Sequence, residues 1–422
     1  MLRSITLATI MTAQFSALLF LFMFCLSSAG YASAAGKSAG IHPDTPQPAR
    51  FVVQAGRLID RTNSRPVFFR GMGYSPYLSG ETPVHGQGPG NDTRYFEHLA
   101  LLKDMGVNYL HVFPMRLPSN FFTALDATDL VYGQDIWIDP FIADLLDETY
   151  LANTLATIKQ VIDHTYSVGR PERLVLFSVG DELQAATVER TNKRHPEVVA
   201  YEGKHLSVSG RTASEVALAR LIDQAMDYEL THYGERHLYT HTSWTHIGPI
   251  ADRPDLEVSR EHVLVPDMGD VICMNIYTYA NGVLTSAPGS VTGTTYQGYL
   301  EELAATTDLP ILVTQVGLST SPIMPKPEVI DYGGNTPEKV AAKLSSAWHD
   351  IRSAHLGERY FGLTIFEFQD EWWKIGWNEK DEFSHEPADP EEWFGLYEVG
   401  EGNRLIPKGN LPAIVKSLYT QP

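Results

Sequence analysis

The feature that most constrains the fold is a regular alternation of apolar, strand-like segments with helical segments. Eight short apolar runs bounded by turn residues indicate strands buried on both faces. They span 67–74, 107–113, 130–137, 173–180, 236–243, 270–277, 310–316 and 361–368. Helical patterns lie between them at 94–105, 120–127, 148–166, 214–233, 296–306 and 337–355. This alternation predicts an α/β fold, a (β/α)8 TIM barrel forming one domain.

The ends of the chain predict export and a single folded unit. Residues 1–34 have the pattern of a signal peptide: Arg3, a mostly apolar stretch, and the small residues 32–34. Residues 35–50 are rich in Gly, Pro, Ser and Ala and predict a flexible leader. The barrel domain is expected over 51–422, with an opening hairpin whose turn is 60–65 and a closing helix over 411–419.

Two further segments are expected to lie at the rim of the barrel. The polar stretch 184–212, between the fourth and fifth strands, predicts a loop or small lid. Residues 374–390 predict a rim loop that folds Trp377 or Trp393 over the site.

Charge and cysteine content narrow the class of ligand. There are 32 basic and 51 acidic residues, a formal charge of −19, which argues against nucleic acid or an anionic membrane as the partner.

Cleavage of the signal peptide leaves Cys273 alone, so an intrachain disulfide is excluded in the mature protein. His241 and His246 lack ligand-like partners at metal spacing, so we expect no metal and no cofactor. An acidic, aromatic-rich exported chain fits a neutral polysaccharide or oligosaccharide.

The segment 174–183, LVLFSVGDEL, delivers two adjacent carboxylates at the end of a buried strand. Barrel enzymes present catalytic groups at the carboxyl ends of their strands, so Asp181 and Glu182 are candidates for chemistry. The alternative is that the two acids only begin the next helix, where they would suit the positive end of its dipole.

The other strand ends add residues suited to binding sugars, because aromatic faces pack on sugar rings while carboxylates and amides bind hydroxyls. The candidate substrate-binding residues are Tyr74, His111, Asp135, Trp137, Trp244, Asn275, Tyr277, Asp370, Trp372 and Trp373. The competing interpretation of Trp372 and Trp373 is core packing. Since adjacent residues point to opposite sides, at least one is expected to line the cleft.

In these motifs the chain resembles the retaining (β/α)8 glycoside hydrolases of clan A, and its layout is most similar to β-glucan-acting members such as β-1,3-glucanosyltransferases. The resemblance covers roughly 67–396. It implies that Glu182 is the acid/base, that Tyr277 contacts the nucleophile, and that an aromatic residue within 368–373 forms the floor of the sugar site.

The sequence departs from the clan at the nucleophile. The clan carries a Glu at the end of the seventh strand, where this chain has Gln315, whose amide cannot attack an anomeric carbon. His111 replaces the Arg that the clan favours on the second strand, and Asp181 replaces the Asn that precedes the acid. A buried Arg without its carboxylate partner would be a costly unpaired charge. The loss of both the Arg and the Glu therefore favours a natural difference over an engineered Glu→Gln change, which would have left the Arg in place.

Three interpretations follow from these departures. The chain is a glycosidase or transglycosylase acting on a β-glucan-type polysaccharide, or it binds a glycan without cleaving it, or its likeness to the clan is confined to the fold. In the first, another carboxylate serves as base or nucleophile, and the candidates are Asp181, Asp135, Glu367, Asp370 and Glu371. Glu367 and Asp181 are the first two to consider, and Glu182, Gln315, Asp181 and Glu367 form the candidate catalytic set.

Overall fold

The structure is a computed structural model that describes residues 40–41, 49–83, 87–245, 268–277, 287–323, 333–353, 356, 358–374, 385–387 and 389–421. The predicted signal peptide, most of the leader, His246 and Trp377 lie outside the described residues. Among the described helices, none combines the length and the apolar character needed to cross a membrane.

The strands and helices alternate as the sequence predicts. In chain order the strands are β1 (Gly40–Ile41), β2 (Phe51–Gln54), β3 (Arg57–Asp60), β4 (Arg65–Pro66), β5 (Phe69–Tyr74), β6 (Tyr109–Val112), β7 (Val131–Ile136), β8 (Leu174–Asp181), β9 (Ala200–Glu202), β10 (Leu206–Ser209), β11 (Leu238–Trp244), β12 (Ile272–Asn275), β13 (Ile311–Val316), β14 (Tyr360–Ile365), β15 (Tyr397–Val399) and β16 (Leu405–Pro407). The helices are α1 (Arg94–Asp104), α2 (Ser119–Asp126), α3 (Glu148–Ser167), α4 (Ala185–Arg194), α5 (Ala213–Tyr233), α6 (Thr295–Ala305), α7 (Pro337–Ile351) and α8 (Leu411–Thr420).

Eight of the strands close into one parallel barrel, in the order β11-β12-β13-β14-β5-β6-β7-β8. Each strand pairs with its neighbours in parallel register, for example Asn275 of β12 with Gln315 of β13. All eight carboxyl ends therefore face the same side of the molecule. The predicted (β/α)8 barrel is confirmed.

The opposite, amino-terminal side of the barrel is covered by the hairpin β2–β3. Phe51 packs edge-on against Phe69 with ring centroids 6.0 Å apart, and Phe69 stacks on Tyr109 at 4.6 Å. These rings belong to one buried apolar cluster with Leu176 and Leu312. The apolar hairpin therefore packs onto the base of the barrel and leaves the carboxyl ends as the open side.

The hairpin and the rim insertion differ from the prediction in their details. The hairpin turns at Ala55 and Gly56, which both adopt positive φ, so the predicted turn 60–65 is instead a second turn between β3 and β4. The stretch 184–212 contains helix α4 and the antiparallel pair β9–β10, so it is more ordered than the predicted loop. Its order comes from Asp223 of α5, whose carboxylate accepts from the backbone of His205 and Leu206 and from the Tyr201 hydroxyl.

The predicted closing helix is present as α8. Its Tyr419 hydroxyl donates to the carbonyl of Gly71 in β5 at 2.8 Å, and the Tyr419 ring packs against Trp348 of α7. Through these contacts the end of the chain is tied to the first strand of the barrel.

Candidate active site

The amide of Asn275 is the centre of the candidate site. Its Nδ2 donates to Asp181 Oδ1 and to Glu182 Oε1, both at 2.8 Å. Its Oδ1 accepts from the hydroxyl of Thr314 at 2.7 Å, which fixes the orientation of the amide. Residues at the ends of β8, β12 and β13 are thereby held in one network.

Gln315 extends this network and uses both ends of its amide. Its Nε2 donates to Asp181 Oδ2 at 3.2 Å, and its Oε1 accepts from the hydroxyl of Tyr277. The expectation that Glu182, Gln315 and Tyr277 lie at the same end of the barrel agrees with this geometry. Asp181 is thus bound by one amide on each of its oxygens.

The carboxylates at this end raise one another's pKa. Burial raises the pKa of Asp135 to about 8, and the nearby Glu182 charge adds to this shift. Burial, with the charges of Asp135 and Glu182, raises the pKa of Asp181, and burial also raises that of Glu182. The upward shift of the pKa of Glu182 is the direction that a general acid requires, and Asp135 keeps its proton at neutral pH.

The backbone at the end of β8 is unusual at two positions. Gly180 has φ +79°, and a Cβ there would lie 2.7 Å from Ile138 Cδ1. Glu182 has φ +50°, which is uncommon for a residue with a side chain. The register with β11 shifts at this point, between Thr240 and Thr242. This local irregularity turns two adjacent side chains, Asp181 and Glu182, toward the same amide.

His111 does not replace the charge of the missing Arg. It is fully buried, with Nδ1 hydrogen-bonded to the Tyr109 hydroxyl at 3.1 Å, and burial lowers its pKa to about 3. The imidazole is therefore neutral at ordinary pH. A neutral ring on β6 is compatible with a neutral amide at Gln315.

Glu367 lies in a second group of charges beyond β14. It is fully buried, and burial together with Glu371 raises its pKa well above its usual range. Lys374 is 3.1 Å from Glu371 and 3.4 Å from Glu391, and it lies 5.1 Å from the centroid of the Phe366 ring. Full burial thus opposes the ionised form of Glu367, which weakens its case as a base.

Phe366, just before the stretch 368–373 in which the aromatic floor is predicted, is the centre of an aromatic cluster at this end of the barrel. Its ring packs against Phe113, Tyr277 and Phe394 at centroid distances of 5.5, 6.5 and 5.5 Å. Phe368 has the opposite orientation and packs against Tyr74 and His98. The difference arises because β14 ends at Ile365, three residues before the predicted end. Strand parity places residues 366 and 368 on the same face, so their opposite orientations were not predictable from the sequence.

Two predicted sugar-binding residues are engaged elsewhere. Tyr74 is buried between the barrel and its helices, where its hydroxyl bonds His98 Nδ1 at 3.0 Å. Asp370 is buried against Lys408, with 2.5 Å between the charged atoms, and accepts from the backbone of Gly395. The structure therefore corrects both predictions: Tyr74 is a core residue and Asp370 belongs to a structural ion pair.

The tryptophans divide between packing and the rim. Trp372 and Trp393 stack on the two sides of His385, at 5.5 and 3.5 Å, so Trp393 is part of this stack instead of covering the carboxylates. Trp373 packs near Tyr77 and Lys374 and borders the group around Phe366. Trp244 donates from Nε1 to the carbonyl of Leu183 at 3.3 Å, next to Glu182, and Trp137 is half exposed.

Thr314 and Lys374 belong to strand ends that the sequence places at the rim, but no role was predicted for either. Sequence reasoning missed Phe394 as a neighbour of Phe366 and Tyr277, because it reaches them through a loop whose path the sequence does not predict. Within the described part of the chain, no group of three or more His, Cys, Asp or Glu side chains could hold a metal ion.

Solved structures with the same fold include two enzymes that act on sugars. The GH2 β-galacturonidase from Eisenbergiella tayi, bound to galacturonate, matches with a TM-score of 0.56 and 13% identity over 88% of this chain and 54% of that chain. The β-glucuronidase from Ruminococcus gnavus matches with a TM-score of 0.54 and 13% identity over 87% and 52%. Neither a family model nor a curated protein sequence matches this chain.

These similarities concern the barrel. The chain spans about half the length of each of the two enzymes. At 13% identity the likeness shows a shared fold, and the chemistry has to be argued from the site itself.

Proposed function

We propose that this chain is a carbohydrate-active barrel protein, a glycoside hydrolase or transglycosylase in which Glu182 is the general acid/base. The observation that carries the proposal is the Asn275 amide, which holds the carboxylates of Asp181 and Glu182 together at the mouth of the barrel. Cleaving a glycosidic bond requires one carboxyl group that holds a proton and a second that reacts as a carboxylate, and this pair brings two carboxyl groups together.

Asp181 is the better candidate for the second catalytic carboxylate. It is partly open to the cleft and hydrogen-bonded to Gln315, the residue at the position of the missing nucleophile. Glu367, by contrast, is fully buried and lies beside Glu371 in the second group of charges. Compared with the clan, the second carboxylate is therefore on β8, at Asp181, instead of on β13, where Gln315 is its hydrogen-bonded neighbour.

The spacing of the pair favours a retaining mechanism. Asp181 Oδ1 and Glu182 Oε1 each accept from Asn275 Nδ2 at 2.8 Å, so the distance between these two oxygens is at most twice that length. Retaining pairs stand ~5–5.5 Å apart, whereas inverting pairs need ~6.5–9.5 Å to admit water. The geometry thus supports a retaining reaction, in which Asp181 takes the place of the missing nucleophile, over an inverting reaction.

In this mechanism the ionised form of Asp181, which the amides of Asn275 and Gln315 stabilise by hydrogen bonds, attacks the anomeric carbon while Glu182 gives its proton to the departing glycosidic oxygen. The C–O bond to the leaving sugar breaks as the ester to Asp181 forms. Glu182, now ionised, takes a proton from water or from an acceptor hydroxyl, whose oxygen attacks the same carbon and releases Asp181. Tyr277 and Asn275 donate hydrogen bonds that hold Gln315 and the two carboxylates in place.

The charges around the site favour a neutral β-glucan over a uronide. One described cation, Lys374, lies there, and it is already paired with two carboxylates. The acidic residues of the site and its second charged group are Asp135, Asp181, Glu182, Glu367, Glu371 and Glu391. The ligand named for the Eisenbergiella tayi enzyme, galacturonate, would bring another negative charge into this surplus of acid.

The second candidate is a barrel that binds glycan without cleaving it. It is favoured by Gln315, whose amide is hydrogen-bonded at both ends, to Tyr277 and to Asp181, and supplies no nucleophile. We also propose export, on the basis of the signal-peptide pattern in residues 1–34.

The test is Glu182→Gln, assayed on β-1,3- and β-1,4-glucans. We expect turnover to fall about 10²–10⁴-fold because the proton donor is lost, with a smaller loss on aryl glycosides whose leaving groups need no proton. Glu189→Gln, an exposed acid on α4, is the matched control and should leave turnover unchanged.

The stereochemistry of the product tests the role of Asp181. NMR of the first product should show a retained anomer, and mass spectrometry with a 2-fluoro glycoside should find the adduct on Asp181. An inverted anomer would exclude Asp181 as nucleophile. Glycan affinity with no turnover in either form would support the binding protein instead.

A further inference from the structure

Two large aromatic side chains are exposed on the segment that follows β7. Trp137 is 50% exposed and Phe141 is 59% exposed. Exposing such large apolar faces to water is unfavourable, and such residues often mark a binding surface. We call this pair the aromatic ledge. Phe96, which is 45% exposed, lies on α1 and provides a comparison.

The ledge lies on a well-anchored segment. Ile138 is buried against Gly180, and the carbonyl of Pro140 accepts from the backbone amide of Gln184 at 3.3 Å. Further hydrogen bonds join Thr187 Oγ1 to the Ile142 carbonyl and the Tyr150 hydroxyl to the Asp139 carbonyl. Aromatic faces presented by an anchored segment lose little conformational entropy when a ligand packs on them.

The same contacts bring the ledge beside the candidate acid. Gln184, which bonds Pro140, is two residues after Glu182. Trp137 is two residues after Asp135, whose charge acts on Asp181, and Ile138 lies against Gly180, the residue before Asp181. The segment that carries the ledge therefore lies beside the end of β8, where Asp181 and Glu182 are.

We infer that the aromatic ledge is a second sugar subsite, which binds the part of a glucan chain on the leaving-group side of the cleaved bond. This inference rests on the proposed function, since it is the proton donor Glu182 that defines the leaving-group side. Sugar rings present C–H faces that pack on Trp and Phe, and the neutral aromatic surface suits a neutral chain. The substrate is accordingly an extended polymer in place of a single sugar unit.

The test measures binding, so that it does not depend on turnover. Titration calorimetry on Glu182→Gln should use gluco-oligosaccharides of two to eight units, a range of lengths that covers roughly the cleft and one further subsite. The affinity should rise with the length of the oligosaccharide. In that background Trp137→Ala and Phe141→Ala should each weaken the longer ligands about tenfold and leave the shortest unchanged. Phe96→Ala should bind all lengths as the parent does.

The outcomes separate the subsite from the function on which it rests. Binding of short ligands with no gain in affinity for longer ones, or equal losses from Phe96→Ala and Trp137→Ala, would overturn the ledge alone. Failure of every gluco-oligosaccharide to bind would overturn the proposed function and the ledge together. A dimer in sedimentation that Trp137→Ala dissociates would assign the ledge to a second copy and overturn the proposal.

Discussion

At the scale of single residues, the chemistry depends on which side of one hydrogen bond holds the charge. Asp181 and Gln315 are 134 residues apart in sequence and meet at 3.2 Å, as carboxylate and amide. The resembled clan has the two groups reversed, with an amide on the fourth strand and a carboxylate on the seventh. In the proposed function the two arrangements differ in which strand supplies the nucleophile.

Exchanging the two groups is a direct prediction. Asp181→Asn should lower turnover by about 10³-fold or more, because the nucleophile is removed. Gln315→Glu alone should give little retaining activity, since Asp181 would raise the pKa of the new carboxyl and neutral His111 would not lower it. The double variant should recover at least about tenfold over Asp181→Asn. Steady-state kinetics measure this, with unfolding curves to verify the fold.

The opposite result would also be informative. If Asp181→Asn turned over glucan as the parent does, Asp181 would be a positioning residue and another carboxylate would be the nucleophile. If the double variant were no better than Asp181→Asn, the view that the charge has moved across this hydrogen bond would be wrong.

At the scale of elements, the junction of β8 and α4 orients the side chains of Asp181 and Glu182. Gly180 combines a left-handed backbone with close contact to Ile138, and Glu182 has positive φ one residue after Asp181. A positive φ is easily adopted by a glycine but costs of order 1–3 kcal/mol at a residue with a side chain such as Glu182, so surrounding contacts must hold it.

Gly180→Ala tests the role of this junction. A Cβ at Gly180 would meet Ile138 Cδ1 at 2.7 Å, so we expect a lower free energy of unfolding and a loss of turnover greater than the loss of stability explains. Gly210→Ala is the matched control, because Gly210 has φ +70° with open space around it. It should lose about 1 kcal/mol of stability from the backbone alone and keep its turnover. Equal effects on turnover in both variants would contradict this role of Gly180.

At the scale of the molecule, stability depends on buried polar contacts that join barrel and helices. Glu229 of α5 accepts from His237 Nδ1 at 2.6 Å and from the hydroxyls of Tyr239 and Tyr166 at 2.9 and 2.8 Å. Burial opposes a charge on His237, but Glu229 and the Pro171 carbonyl outweigh it and raise the pKa of His237 above 6.5. A charged pair is therefore enclosed between α3, α5 and β11.

Glu229→Gln should destabilise the fold in a pH-dependent way. Because the folded pKa of His237 is raised, the pair's contribution is complete below pH 6.5 and is lost as pH rises through the folded pKa. Breaking a buried pair costs ~3–5 kcal/mol, so we expect the largest drop in the urea midpoint at acid pH and a smaller drop at alkaline pH. Glu148→Gln, an exposed partner of Arg220, should change the midpoint little. A pH-independent loss would contradict the charged pair.

Much of the fold and part of the site were predictable from the sequence. The alternation of strands and helices predicts the barrel, because burying one face of every element admits few arrangements. Glu182, Gln315 and Tyr277 were identified because each ends a strand, and the carboxyl ends of parallel strands meet at one rim. Their contacts with Asn275 and Asp181 agree with that reasoning.

Only the tertiary structure decided which neighbours each side chain has. Asp370 pairs with Lys408, 38 residues later, and Tyr74 bonds His98 on a helix, so neither reaches the sugar site. Phe366 and Lys374 lie near the carboxylates because the chain leaves the barrel at Ile365, earlier than the apolar run indicates. The pattern along a strand determines which face a side chain takes, whereas charge pairing and exposure depend on loops packed from distant parts of the chain.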